Sequence, residues 1–152
     1  EYQKYFAMDA LKRRFEKIVV KEPEDDVLER ILDKVIDGYC LKNSLFFKED
    51  SVKKNVIKAI MYATNKSHRT YNDKVNNPDL SISIIDKAFA FAKYNDCEYI
   101  DEGSFIEAFE YCDRIYSSAC ENAVKMLKKP VKPMVKEGAK VINIDFSSIC
   151  RR

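Results

Sequence analysis

The feature that most constrains the fold is the spacing of apolar residues between positions 27 and 39. They recur every three or four residues, as they do on one face of an α-helix, and they are Val27, Leu28, Ile31, Leu32, Val35, Ile36 and Tyr39. Pro23 and the acidic run 24–26 come just before them. Proline and carboxylates both favour the first turn of a helix. The pattern therefore predicts a helix from Pro23 to about Lys42.

Two later stretches show the same helical spacing. One begins at Asp50 or Ser51, either of which can cap a helix, and runs to about Asn65. The other begins at 77–79 and is apolar around most of its circumference, which predicts the central helix of a bundle. Their inward residues are Val52, Val56, Ile57, Ile60 and Ala63 in the first, and Ile82, Ile85, Ala88, Phe89 and Ala92 in the second.

A fourth apolar series follows Asp101 and Ser104. Its members alternate steps of four and three, as in a helix that lies along a partner helix; they are Phe105, Phe109, Cys112, Tyr116, Ala119, Ala123 and Met126. The series predicts one helix of about 25 residues. With only three glycines and four prolines in 152 residues, we expect a mainly α bundle of about four helices with one or two short peripheral strands.

Composition limits the possible partners. The chain has 27 basic and 25 acidic residues, so its net charge of +2 does not favour nucleic acid or an anionic membrane. It also has no apolar run long enough to span a bilayer. Because it begins with a glutamate rather than a methionine, we expect a piece of a longer protein.

The cysteines do not form a recognisable metal motif. There are five of them (Cys40, Cys97, Cys112, Cys120 and Cys150), with no C-x-x-C spacing and only one histidine, His68. Zinc ligands usually come in sets of four with such spacing, so no metal site is predicted. We interpret the cysteines as reduced, mostly buried thiols of a cytoplasmic protein.

Arg13 and Arg14 are the first candidate functional residues. They stand side by side before a short apolar run at 18–20, for which an extended conformation at 17–20 is predicted. A pair of permanently charged guanidinium groups can reach a phosphate on a neighbouring surface. The alternative is an ordinary solvated surface pair, which is common.

The sequence around these arginines resembles a known family. The order Glu1-Tyr2, Tyr5, Asp9-Ala10-Leu11, Arg13-Arg14-Phe15, Val20 and Glu22-Pro23 resembles the end of the large subdomain in the first ATPase module of Clp-type AAA+ unfoldases, with one residue fewer between Tyr5 and the arginines. In that family the two arginines are fingers that point at the nucleotide of the next subunit in a ring. The resemblance implies this catalytic role for Arg13 and Arg14.

The resemblance continues into the predicted helices, to about residue 92. Ser67-x-Arg69, Asp73-Lys74, Pro78-Asp79, Ile82 and Asp86-x-Ala88 are similar to the signature of the small lid subdomain of the same family, with one extra residue before the proline. There, the Pro-Asp turn and the isoleucines of two lid helices lie against the adenine ring. The resemblance implies contact with ATP for Ile31, Val35, Pro78, Asp79 and Ile82. By themselves the isoleucines would be read as core residues.

Two positions depart from the family signature. Leu80 replaces a lysine and Ser83 replaces an aspartate, so two polar anchors of the third helix are missing. The departures predict weaker or differently shaped contact with the nucleotide.

The sequence lacks the groups that would hydrolyse ATP. It contains no GxxxxGK[ST] loop for phosphates and no apolar strand ending in paired acidic residues for magnesium. We therefore expect residues 1–22 to end a large AAA+ subdomain, 23–129 to form the lid-like bundle, and 130–152 to be a linker or tail with one short strand around Ile142, Ile144 and Phe146. The resemblance implies an ATP-driven unfoldase that acts on protein substrates as a homo-oligomeric ring. The fragment itself is expected to be monomeric and inactive. The alternative function is a stand-alone helical module that grips a partner helix.

Overall fold

Five α-helices make up most of the chain that the computed structural model describes, which is residues 20–70 and 76–128. They are α1 (Asp25–Asn43), α2 (Asp50–Ala63), α3 (Asp79–Tyr94), α4 (Glu102–Glu110) and α5 (Ser117–Lys128), with a 3₁₀ turn at Lys66–His68 between α2 and α3. These two ranges contain no strand, only an isolated antiparallel bridge between Arg69 and Ile115. The predicted mainly helical bundle is confirmed. The predicted strand around residues 142–146 and most of the predicted extended stretch 17–20 lie outside the described residues.

Helix α1 follows its apolar pattern closely. Its two acidic residues at the start, Asp25 and Asp26, complement the helix dipole. One stripe of the helix is buried in the core, formed by Leu28, Leu32, Ile36 and Cys40. The helix ends at Ser44, which adopts a left-handed conformation (φ 55°) and directs its N–H to the carbonyl of Cys40, a common way to close a last turn. The observed bounds agree with the predicted helix from Pro23 to about Lys42.

Helix α3 occupies the central position that its sequence predicts. Seven of its residues are buried, and it packs against α1, α2 and α4. Leu80, at the position where the resembled family has lysine, is only 1% exposed. The start of α3 is therefore held by an apolar residue in the core. Ser83 is half-buried.

The prediction of one long last helix was wrong. Residues 111–116 separate α4 from α5, and the backbone there turns to meet residues 68–70. The Tyr116 N–H donates to the His68 carbonyl at 2.8 Å and the Thr70 N–H donates to the Arg114 carbonyl at 3.1 Å. Ile115, 3% exposed, enters the core at this turn. These long-range contacts override the local helical pattern.

The two shorter helices cover different parts of the bundle. Asp101 caps α4 by accepting a hydrogen bond from the Ser104 N–H at 3.3 Å. Helix α4 packs on α3, and α5 packs on α2 and α4. Both helices bury part of the fourth apolar series, namely Phe105 and Phe109 on α4 and Ala119 and Ala123 on α5. In the part of the chain described, no helix combines the length and apolar character needed to cross a membrane.

Candidate functional site

The candidate site is built around Arg69, which lies just after the 3₁₀ turn. Its side chain is only 2% exposed. Its guanidinium group donates through both terminal nitrogens to the carboxylate of Glu22, and through Nε to the Thr64 carbonyl at 2.9 Å. A buried arginine needs such partners because an uncompensated charge in the interior is costly. Arg69 thus fixes the segment that precedes α1 to the end of α2.

Asn77 joins the start of α3 to the same network. Its backbone N–H donates to Glu22 Oε1 at 2.9 Å, and its side-chain amide donates to the Thr64 carbonyl at 3.2 Å. Its own side-chain oxygen accepts from the Ser81 hydroxyl at 2.9 Å. Within the described residues, no buried side-chain nitrogen or oxygen lacks a partner. The network therefore holds three chain segments at one point without leaving a polar group unsatisfied.

The electrostatics of this network favour an ionised Glu22. The hydrogen bond from Arg69 lowers the pKa of Glu22 below its usual value of 4.5, against the opposing effect of partial burial, and the Asn77 N–H adds to the lowering. Glu22 is thus a carboxylate at neutral pH, as its role as acceptor for Arg69 requires.

A second contact joins α1 to α3 further along both helices. The Tyr39 hydroxyl donates to Asp86 Oδ1 at 3.0 Å, and the Tyr39 and Phe89 rings lie 5.4 Å apart between centroids. Burial, reinforced by Asp86, raises the pKa of Tyr39, so its hydroxyl keeps its proton as a donor. Since Glu22 meets Asn77 before the helices begin and Tyr39 meets Asp86 further on, α1 and α3 run in the same direction.

These two contacts bracket all five residues predicted to contact ATP. Ile31 and Val35 lie on α1 between Glu22 and Tyr39, and Pro78, Asp79 and Ile82 lie between Asn77 and Asp86. The four apolar residues are half-buried and Asp79 is exposed. The Asn77–Pro78 peptide bond is cis. We name this stretch, formed by Ile31, Val35, Pro78, Asp79 and Ile82, the α1/α3 seam.

A groove beside α1 contains only one of these residues. It has a volume of about 540 Å³ and runs between α1 and α2. Its apolar lining is Val27, Ile31 and Ile57, and its charged lining is Glu29, Arg30, Asp33, Lys34 and Lys54. Ile31 alone belongs to both features, so the groove and the α1/α3 seam meet at this residue.

The predicted catalytic pair, Arg13 and Arg14, lies outside the described residues. Within residues 20–70 and 76–128, no group of three or more His, Cys, Asp or Glu side chains is placed to hold a metal ion.

The sequence did not reveal that Arg69 is buried and paired with Glu22. Both residues belong to the resembled motifs, which was the only signal available, because 47 positions separate them. No protein-family model matches the chain, and no solved structure matches it.

Proposed function

We propose that this chain is the lid subdomain, with the end of the preceding large subdomain, of a Clp-type AAA+ unfoldase. The observation that carries the proposal is the meeting of Glu22, Arg69 and Asn77 in one network. These residues lie in or beside the Glu-Pro, Ser-x-Arg and Pro-Asp elements through which the sequence resembles that family. Their convergence places the entry of the chain into the bundle next to the start of α3.

The α1/α3 seam suits one face of an adenine ring. Ile31, Val35 and Ile82 present partly exposed apolar surface along two helices that run in the same direction. A flat heteroaromatic base loses little by leaving water for such a surface. Pro78 and Asp79, at the first turn of α3, would lie at the edge of the base. ATP, with Mg²⁺ held by residues outside this sequence, is the cofactor that the proposal implies.

The hydrogen-bond network of Glu22, Arg69 and Asn77 would couple contact with the nucleotide to movement of the proposed lid. Glu22 ties the start of α3 directly to the segment that leaves the proposed large subdomain. A shift of α3 would therefore move that segment as well, which is how a lid converts the occupancy of a nucleotide site into rigid-body rotation. Arg13 and Arg14 would stabilise charge on the phosphoryl group bound by the neighbouring subunit. The whole assembly would be a cytoplasmic homo-oligomeric ring that acts on protein substrates.

The alternative function is a stand-alone module that binds a partner helix. It relied on a continuous apolar face over residues 105–126 of one long helix. Helices α4 and α5 are separate, and Phe105, Phe109, Ala119 and Ala123 are buried within the bundle. No specific observation therefore favours the alternative over the nucleotide-dependent lid.

Titration of the isotope-labelled chain with ADP, followed by NMR, tests the proposal. We expect weak binding, with the largest shifts in amide and methyl signals of Ile31, Val35 and Ile82. Val35→Ala should weaken these shifts. Leu41→Ala, a change at a residue of the same helix that is 72% exposed, should leave them unchanged. Thermal melting of both variants separates lost binding from lost folding.

Shifts spread evenly over the surface, or none at millimolar ADP, would contradict the adenine contact. A second test uses the longer reading frame: the proposal expects a phosphate-binding loop encoded upstream of Glu1.

A further inference from the structure

Two large apolar side chains lie exposed near the end of α1. Leu41, on α1, is 72% exposed, and Phe46, in the loop between α1 and α2, is 53% exposed. Both line one cavity of about 310 Å³, together with Asp37, Cys40, Phe47, Asp50 and Lys53. We name these seven residues the Phe46 cavity. Large apolar side chains that are exposed around one concave surface are typical of a binding site.

The loop fixes the backbone at Phe46 although the ring of this residue is exposed. On one side, Leu45 is 6% exposed, and on the other, the Phe47 ring stacks on Phe105 at 6.2 Å between centroids. The Phe46 carbonyl accepts a hydrogen bond from the Ile100 N–H at 3.2 Å. A ring on a fixed backbone loses less conformational freedom on binding than a ring on a mobile loop. Phe46 is therefore suited to anchor a bound segment.

The charge around the Phe46 cavity is negative. Lys53 is 14% exposed, and its ammonium group already lies 2.7 Å from Asp33 and 2.6 Å from Asp37. Asp50 adds a further exposed carboxylate. Lys48, in the same loop, has its nitrogen 3.5 Å from the centroid of the Tyr99 ring. The three carboxylates outnumber the one ammonium group beside them, so the cavity is complementary to an occupant that is both apolar and positively charged.

The chain itself contains a segment of this chemistry. Residues 131–136, with the sequence Val-Lys-Pro-Met-Val-Lys, combine three apolar side chains with two lysines and lie outside the described residues. Lys129 and Lys140 flank them, and Glu137 is the only acidic residue between these two lysines. Pro133 fixes one backbone angle, which lowers the entropy that a segment loses when it binds.

Helix α5 leads toward the end of the bundle that contains the Phe46 cavity. Near its start, the Tyr116 N–H donates to the His68 carbonyl at 2.8 Å, just beyond the end of α2. Further along, the Asn122 side chain donates to the Tyr62 hydroxyl at 3.3 Å, within α2. Because the residue numbers rise along one helix as they fall along the other, α5 runs antiparallel to α2.

The segment can reach the cavity from the last residue of α5. At a helical rise of about 1.5 Å per residue, Lys128 lies roughly 9 Å short of the level of Asp50 along the axis of α2. The Phe46 cavity lies beside Asp50, on the far side of α2 at a distance of about one helix diameter, or roughly 10 Å. The seven residues from Lys128 to Val135 can span about 23 Å, which exceeds both distances combined.

We propose that residues 131–136 occupy the Phe46 cavity of the same chain. Their apolar side chains would cover Leu41 and Phe46, and Lys132 and Lys136 would pair with the carboxylates of the cavity. The chain would then leave the bundle at the loop between α1 and α2 instead of at the end of α5. This proposal does not depend on the proposed lid function.

Carbodiimide cross-linking of the full chain, followed by mass spectrometry, tests the contact. The reagent joins a lysine to a carboxylate that lies against it. An equal mixture of natural-isotope and ¹⁵N-labelled chain separates links within one molecule from links between two. We expect links within one molecule from Lys132 or Lys136 to Asp37 or Asp50, and we expect fewer of them in about 1 M salt, which screens the charges.

Two variants keep the lysines and carboxylates but change the exposed rings. Phe46→Ala should lower the yield of these links about fivefold or more, because it removes the aromatic anchor. Tyr94→Ala is the matched control. It removes a ring that is 86% exposed at the end of α3 and outside the Phe46 cavity, so the yield should not change. Thermal melting of both variants shows whether they fold.

NMR of the full chain measures the same contact without a reagent. The amide signals of Leu41 and Phe46 should move in Lys132→Glu/Lys136→Glu, which reverses both charges of the segment. They should stay in place in Lys140→Glu/Arg151→Glu, which reverses two charges further along the chain.

Three results would overturn the proposal. Links that join two molecules would assign the Phe46 cavity to a second copy of the chain. Links spread evenly over the exposed carboxylates of the bundle, or an equal yield in Phe46→Ala and the natural chain, would show that the segment does not occupy the cavity. Signals of Leu41 and Phe46 that respond to neither double variant would show the same.

Discussion

The ion pair of Arg69 with Glu22 and the ion pairs of Lys53 with Asp33 and Asp37 both join separate elements, but water reaches them to different extents. Arg69 is 2% exposed and Glu22 30%, whereas Lys53 is 14% exposed and its partners Asp33 and Asp37 are 54% and 60% exposed. The Lys53 ion pairs are nevertheless close, because the Lys53 nitrogen lies 2.7 and 2.6 Å from its two carboxylate partners. We therefore expect burial, rather than the distance between the charged atoms, to decide how much each ion pair stabilises the bundle.

Removal of the buried cation should have the largest effect. Arg69→Met deletes the ion pair and leaves the partly buried Glu22 carboxylate without its cationic partner, although Asn77 still donates to it and to the Thr64 carbonyl, so we expect a loss of about 3 kcal/mol in the free energy of unfolding. Urea unfolding measures it. Arg30→Met, which removes an arginine that is 72% exposed, is the matched control and should cost less than about 0.5 kcal/mol. Equal losses in the two variants would remove the distinction between buried and exposed pairs.

Neutralisation of the partner should have a smaller effect that depends on pH. Glu22→Gln weakens a charge-assisted hydrogen bond, and we expect a loss of about 2 kcal/mol at neutral pH. Because the folded-state pKa of Glu22 lies below 4.5, the contribution of its carboxylate is complete above that pH and is lost as the pH falls through the folded-state pKa. The difference between Glu22→Gln and the natural chain should therefore narrow in acid. Glu24→Gln, two residues away and exposed, serves as control, and a gap that widens in acid would refute the assignment.

The smallest effect is expected at Lys53, whose two carboxylate partners are more than half exposed. Lys53→Met should cost about 1 kcal/mol or less, and less still in high salt. Burial alone would lower the pKa of Lys53, but hydrogen bonds to Asp33 and Asp37 raise it above 10.5. The contribution of Lys53 is therefore complete below that pH and is lost only as the pH rises further. Lys58→Met, an exposed change on the same helix, gives the baseline. A loss as large as that in Arg69→Met would show that burial does not separate the two junctions.

The sequence was informative wherever apolar spacing and burial coincide. Helices α1 and α2 begin and end within about two residues of their predicted bounds, and α3 begins where predicted, since core positions such as Leu32, Ile60 and Ile85 recur at the helical period. The break between α4 and α5 was not predictable in this way. Residues 111–116 contain neither glycine nor proline, and Ile115 fits the apolar pattern, but its backbone pairs with Arg69 instead.

The candidate site shows the same limit. The family resemblance named Ile31, Val35, Pro78, Asp79 and Ile82, which lie on α1 and at the start of α3. Their contact with a nucleotide stays a prediction. Arg69, in contrast, was named only as part of the Ser67-x-Arg69 motif, with no prediction of its burial. Its burial depends on Glu22, Thr64 and Asn77, and local composition carries no information about partners so far away in the sequence.

The junction at Arg69 also determines how the bundle bears a mechanical load. A force applied to the chain before Glu22 acts on the bidentate ion pair of Glu22 with Arg69 before it reaches the first turn of α1 at Asp25. Arg69 passes that tension to the end of α2 through Thr64 and to the turn before α5 through Ile115, while Asn77 passes it to α3. The load is thus shared across several helices instead of unwinding α1 from its end. A force applied from the amino-terminal side should therefore move the bundle as one piece until the ion pair of Arg69 with Glu22 breaks.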